Sequence, residues 1–271
     1  MYAARLAGAV LAGAIVFAAC LAGTASAVGP PPGSLPEGPA GPPATMAFGG
    51  AARRPAVTGV TAAASCPAAP YGPHFYAPGQ SKTVALTFDD GPGKSTAAIL
   101  SVLAHYRVPA TFFNIGENMA ARPSLVRDEV KGGYAMGNHT WNHPNMVTLS
   151  AARQAAELDQ TSAEQRSIAG TLPCAFRPPY GDYNATTLSL AQQRRMGVWL
   201  WSVDTQDWMA DGSGSINWVH RIIQLAEEES GALHHPVVLM HNQPIGNPAT
   251  VGALPTIIQF FRSHGYRFVT V

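Results

Sequence analysis

Five short stretches carry side chains whose types and spacing could do chemistry. Thr87-Phe88-Asp89-Asp90-Gly91-Pro92 sets two adjacent carboxylates at the end of the apolar run Val84-Ala85-Leu86. Carboxylates there are costly to desolvate unless a cation sits beside them. Neighbouring strand residues point to opposite faces, so Asp89 and Asp90 can act together only where the strand gives way to a turn, which Gly91-Pro92 supplies. Asn138-His139-Thr140-Trp141-Asn142-His143-Pro144 places two imidazoles at i and i+4, an ordinary spacing for metal ligands. Alone that spacing is weak evidence, and Thr140 stands where a zinc protease would carry Glu. In Arg177-Pro178-Pro179-Tyr180-Gly181 two prolines stiffen a loop whose first free backbone N–H belongs to Tyr180, a candidate oxyanion donor. Asp204-Thr205-Gln206-Asp207-Trp208 and Leu239-Met240-His241 add further acids and a third histidine. A helix cap would explain Asp207 and a satisfied core imidazole would explain His241. Neither explains why all five stretches fall at the ends of expected strands.

Those strands are expected at 84–89, 110–115, 134–138, 175–178, 198–204, 236–241 and 267–271. Helical stretches lie between them near 95–106, 122–132, 150–168, 185–196, 215–230 and 252–264. Ser95, Ser150, Asn184 and Ser215 precede these stretches as helix-start signals. Regular β-α alternation predicts an α/β fold of parallel strands wrapped by helices, closed as a barrel or open and doubly wound. Either way the site belongs at the carboxyl ends of the strands.

The rest of the 271-residue chain reads as delivery and spacing. Residues 1–27 form a signal peptide: Arg5, an apolar run from Leu6 to Ala19, and a small-residue cleavage site ending at Ala27. Phe17-Ala18-Ala19-Cys20 loosely matches a lipobox, so a lipoprotein anchored at Cys20 is the alternative to full secretion. Residues 28–65, rich in Pro, Gly and Ala, form a linker that buries too little apolar surface to order itself. Residues 66–271 form the functional domain, large enough for one core. The formal net charge is +1, with no basic stripe, which excludes nucleic acid as an expected partner. In an exported protein Cys66 and Cys174 suggest a disulfide, with two separate buried thiols as the alternative.

Taken in order, Thr87–Pro92, His139–His143, Arg177–Gly181, Asp204–Trp208 and Leu239–His241 resemble the five motifs of the polysaccharide deacetylases. These are the NodB-homology domains of carbohydrate esterase family 4, and the resemblance covers about residues 83–271 without a departure in the motif residues. It implies a distorted (β/α)7 barrel. It further implies that Asp90, His139 and His143 hold one divalent metal ion, Zn2+ with Co2+ possible. Asp89 would be the general base, oriented by Arg177, and His241 the general acid, its ring held by Asp207. The Tyr180 N–H would stabilise the oxyanion and Trp208 would wall the pocket. Asp204 receives no role.

The implied activity is removal of N-acetyl groups from N-acetylglucosamine polymers, either chitin-type chains or peptidoglycan, by a monomer. O-deacetylation of xylan is the same water attack on an acetyl carbonyl and is the runner-up. A carbohydrate-binding module that has lost catalysis, and hydrolysis of small cyclic amides, are the readings of other classes. The loops Asp211–Gly214 and Asn242–Asn247 are expected to border the groove without naming its sugar.

Overall fold

The computed structural model describes residue 66 and residues 70–271, so the leader, Cys20 and the linker lie outside the described residues. Among the described residues nine strands form one parallel sheet: β1 (Pro73–His74), β2 (Thr83–Gly91), β3 (Thr111–Asn114), β4 (Ala135–Asn138), β5 (Ala175–Phe176), β6 (Gly197–Trp199), β7 (Val203–Asp204), β8 (Val237–His241) and β9 (Arg267–Val269). The order across the sheet is β1-β6-β5-β4-β3-β2-β8-β7, and β9 pairs with the start of β2. Seven helices cover it: α1 (Thr96–Tyr106), α2 (Gly116–Ala121), α3 (Pro123–Gly132), α4 (Ala151–Ala169), α5 (Ala185–Gln193), α6 (Ile216–Ser230) and α7 (Pro248–Ser263). The sheet curls as a distorted (β/α)7 barrel.

Strand periodicity decides what faces where. Along β2, Val84, Leu86 and Phe88 point outward and join Ile99, Leu254 and Phe261 in the main core, fully buried. Burial of each such side chain is worth about 1.5–3 kcal/mol. The alternate residues Thr87 and Asp89 point into the barrel, where Arg177 reaches both. A smaller core under β5 and β6 gathers Phe176, Val198, Met196 and Leu158.

The expected strand 198–204 is two strands. β6 pairs with β1 and β5, β7 pairs with β8, and the chain changes neighbours through Leu200-Trp201-Ser202. A single apolar run gives no sign of that change. Of the expected strand 175–178 only Ala175–Phe176 pairs, because Pro178 and Pro179 cannot extend the ladder. The helix expected from 252 begins at Pro248, and α2 and β1 were not anticipated.

The helix-start signals divide. Ser150 Oγ accepts from the Arg153 N–H, and Asn184 forms a capping box with Thr187. Ser95 and Ser215 cap nothing with their side chains; the Ser95 Oγ instead accepts the Asn247 N–H.

Residues 70–77 form a strap over the seam left by that change of neighbours. The Leu200 N–H donates to the His74 carbonyl, Tyr76 bridges to Pro236, and the Ala77 N–H donates to the His235 carbonyl. Cys66 is disulfide-bonded to Cys174, one residue ahead of β5. The bond, rather than two separate thiols, is what the structure contains.

Candidate active site

The first two carboxylates meet because the strand is irregular. Asp89 pairs with Phe113 and Gly91 with Asn114, so Asp90 is the extra residue of a β-bulge, with φ +69°. Regular alternation would send Asp90 to the helix layer; the bulge turns it back to the mouth beside Asp89. Gly91 is required there, since a Cβ would lie 2.1 Å from the Asn242 amide.

Asp90 Oδ1 lies 3.3 Å from His139 Nε2 and 3.3 Å from His143 Nε2. His139 Nδ1 is 2.7 Å from the Arg177 carbonyl, an acceptor only, so Nδ1 carries a proton and Nε2 is the atom that faces Asp90. Ligand atoms of all three residues lie within 4.8 Å of one another. Asp90 Oδ1 is buried and has no hydrogen-bond partner. A buried acceptor facing two imidazole nitrogens calls for positive charge at that point. Two imidazoles and one carboxylate with an open side are a donor set that a divalent cation fits.

The protonation tendencies divide: Asp90 and His143 lean toward the forms that bind a cation, whereas at the His139 imidazole burial is outweighed by Asp89 and Asp90, which raise it. Burial drives the Asp90 carboxyl up, but the surrounding imidazoles, His139 foremost, outweigh it and leave it well below the usual range. Burial, with the His139 charge, brings His143 down to about 4 against the pull of Asp90 and Asp89, so its ring is neutral at pH 7.

Beside this trio sits a fully buried ion pair. Arg177 Nη1 donates to Asp89 Oδ1 at 2.8 Å and to Thr87 Oγ1 at 2.8 Å. Its Nε and Nη2 donate to the Trp199 and Leu200 carbonyls at 3.0 and 2.9 Å, and the guanidinium stacks over Phe113 at 4.3 Å. Arg177 thus fills the seam inside the barrel: it takes up carbonyls freed where β6 ends and fixes Asp89 across from them. The other carboxylate oxygen of Asp89 stands 3.8 Å from His139 Nε2.

The neighbouring strand carries a second dyad: on β8 His241 is the register partner of Asp89. Asp207 Oδ1 is 2.7 Å from His241 Nδ1, while Oδ2 accepts the His241 N–H at 2.8 Å and the Thr250 hydroxyl at 2.6 Å. Held this way, His241 presents Nε2 to the mouth. Burial opposes its charge, but Asp207, with Asp90 and Asp89, pushes the imidazole up to about 9.

Asp89, Asp90, His139, His143, Tyr180, Trp208 and His241 all line one cavity of about 410 Å3. Arg177 and Asp207 lie behind it, each bonded to a lining residue. Tyr180 (64 % exposed) and Trp208 (49 % exposed) stand at the rim. Tyr180 has φ +61° and the edge of its ring meets His143. Asp204 also lines the cavity, and its Oδ1 accepts the Gln206 N–H, which holds the left-handed turn before Asp207. Sequence reasoning gave no role to Thr87, Trp201 or Thr250, and placed Gln243 only within the loop Asn242–Asn247 expected to border the groove. Gln243 Nε2 donates to Asp90 Oδ2 at 3.4 Å, and Trp201 shares the cavity wall. Thr87, inside the first motif and on the face of Asp89, and Gln243, inside the loop expected at the groove, gave readable signals; Trp201 and Thr250 gave none.

The profile described as polysaccharide deacetylase matches residues 77–199. The chain is 34 % identical over 203 residues to a peptidoglycan-N-acetylglucosamine deacetylase of Bacillus cereus (strain ATCC 14579), covering 74 % of this chain and 71 % of that protein. It is 33 % identical over 192 residues to the peptidoglycan-N-acetylglucosamine deacetylase PgdA of Listeria monocytogenes serotype 1/2a (strain 10403S), covering 70 % of this chain and 38 % of PgdA. The match to PgdA therefore spans well under half of PgdA's length. Among solved structures it is similar to the Bc1960 peptidoglycan N-acetylglucosamine deacetylase in complex with 4-naphthalen-1-yl-N-oxidanyl-benzamide. The TM-score is 0.69 at 33 % identity, covering 74 % of this chain and 91 % of that one.

Proposed function

The chain belongs to the polysaccharide deacetylase family, and from that premise we propose that it removes N-acetyl groups from N-acetylglucosamine in peptidoglycan, or in a chitin-type chain. One observation carries the reading: a cavity in which Asp89, backed by Arg177, and His241, backed by Asp207, stand on neighbouring strands beside Asp90, His139 and His143.

Asp90, His139 and His143 would hold one divalent cation, Zn2+ by the softness of the donors, with Co2+ able to replace it. When bound, that cation supplies Lewis acidity toward the acetyl carbonyl and toward a nearby water. Asp89 takes the proton of the attacking water through the oxygen that Arg177 leaves open. The Tyr180 N–H donates to the oxygen of the tetrahedral carbon. His241, with its high proton affinity, enters as imidazolium and gives the Nε2 proton to the sugar nitrogen as the C–N bond breaks. Acetate and a free amine leave. Trp208 offers a flat apolar face at the rim for a sugar ring.

Residues 66–271 would be the catalytic domain, exported behind a leader ending at Ala27 and spaced from the cell surface by residues 28–65. The intact mass of the mature protein separates that cleavage from lipid modification at Cys20.

The function is tested by acetate release from N-acetylglucosamine oligomers, peptidoglycan and acetylated xylan, each with and without a chelator. Chelator-sensitive release from either of the first two is the expected result. Release from xylan alone would make the chain an O-deacetylase. Binding without release from all three would make it a carbohydrate-binding domain.

A further inference from the structure

The loop between the two imidazoles is not a comfortable one. Thr140 and His143 both lie in the left-handed region, at φ +66° and +61°. A β-branched residue there must be held by its surroundings. Two internal hydrogen bonds help: the Thr140 N–H donates to Asn138 Oδ1, and the His143 N–H donates to Thr140 Oγ1. Between the imidazoles, however, the backbone turns two N–H groups outward, those of Trp141 and Asn142. Both donate to a single oxygen, Glu157 Oε2, at 2.8 and 3.3 Å.

Glu157 is half-buried on α4 and belongs to none of the five motifs. An anionic oxygen suits two converging donors better than a neutral one. The loop is seated from the other side as well. The Gly116 and Glu117 N–H groups donate to the Thr140 and Trp141 carbonyls, and a Cβ on Gly116 would strike the Trp141 ring at 2.3 Å.

We propose that Glu157 is a positioning residue for the metal site: by clamping the Trp141 and Asn142 amides it sets the separation and aim of His139 and His143. The proposal rests on the reading of Asp90, His139 and His143 as the cation site. Glu157 touches neither cation nor substrate; it acts through the backbone that carries two of the three ligands.

The test is Co2+ titration of the metal-free full chain, with amide hydrogen exchange of the same proteins. Glu157→Ala is expected to bind Co2+ about tenfold more weakly, at the low end of the effect of removing a partner outside the ligand shell. Its Trp141 and Asn142 amides should exchange faster. Glu157→Gln keeps an acceptor oxygen and should recover most of the affinity. Asp159→Ala, which removes an exposed ion pair with Arg194 from the same helix, should bind as wild type does. Co2+ affinity of Glu157→Ala within about twofold of wild type would overturn the proposal. So would an equal loss in Asp159→Ala, which would reveal general loosening of α4. Failure of the wild-type chain to take up Co2+ would overturn the metal reading itself, and this inference with it.

Discussion

Adjacent residues of β3 look onto two buried carboxylates of opposite character. On the inner side the Arg177 guanidinium lies over Phe113 and pairs with Asp89. On the outer side Asn114 donates to Glu129 Oε2 at 2.6 Å, and Glu129 on α3 is fully buried. Glu129 Oε1 and Asn114 Oδ1 have no partner. Burial, only partly offset by the Asn114 amide, pushes Glu129 up to about 8. Inside the barrel a buried carboxylate is supplied with a cation; outside it a buried carboxyl is left to neutralise. Burial alone therefore does not mark a functional acid in this molecule. The partner does, together with an oxygen left open to a cavity.

The contrast is broken most severely at Asp89. Asp89→Asn keeps the shape and removes the base, and should lower kcat by about 1000-fold while bound metal stays at wild-type content. Near wild-type turnover would move the base elsewhere.

Arg177→Met comes next. It leaves Asp89 buried without its cation, and the domain should lose about 3–5 kcal/mol in urea unfolding. Adding Asp89→Asn to that variant should restore part of the loss.

Asp207→Asn acts through His241. The alkaline limb of the rate profile follows the imidazolium near 9, and removing the Asp207 charge should move it to lower pH. The same group bears on stability. Its folded value lies above the ordinary 6.5, so its contribution is complete below pH 6.5 and is lost as pH rises through about 9. In the variant that decline should flatten in thermal unfolding.

Glu129→Gln is the mildest. Below the ordinary 4.5 the carboxyl is protonated folded or unfolded, and its cost grows as pH rises toward about 8. The variant should match wild type near pH 5 and exceed it by about 1–3 kcal/mol at pH 9. A variant less stable at both pH values would mean that Glu129 has a cation partner after all.

Chemistry-bearing residues were legible because each sits where a strand runs into a turn, and strand ends can be found from apolar runs and Gly-Pro punctuation. Asp90 shows where legibility stops. Its type and position were readable, but the bulge that turns it beside Asp89 depends on Asn242 packing against Gly91, some 150 residues away in the chain. Thr250 and Glu157 lie farther out of reach. A buried threonine on a helix face and a half-exposed glutamate look like any others until the fold brings Asp207 and the His139–His143 loop against them. The seam between β6 and β7 was hidden for a related reason: 198–203 is apolar except for Ser202, although its two halves pair with different neighbours.

The strap also determines how the domain would meet mechanical load. Tension on the chain ahead of Cys66 does not first peel the two-residue strand β1 from its edge. It passes through the disulfide to Cys174, directly ahead of β5, which is paired on both sides within the sheet. Three residues beyond Cys174 is Arg177, anchored by four hydrogen-bonding groups in the barrel interior. A pull from the amino-terminal side is therefore passed through the disulfide to a segment anchored inside the barrel, and bypasses the hydrogen bonds of the strap.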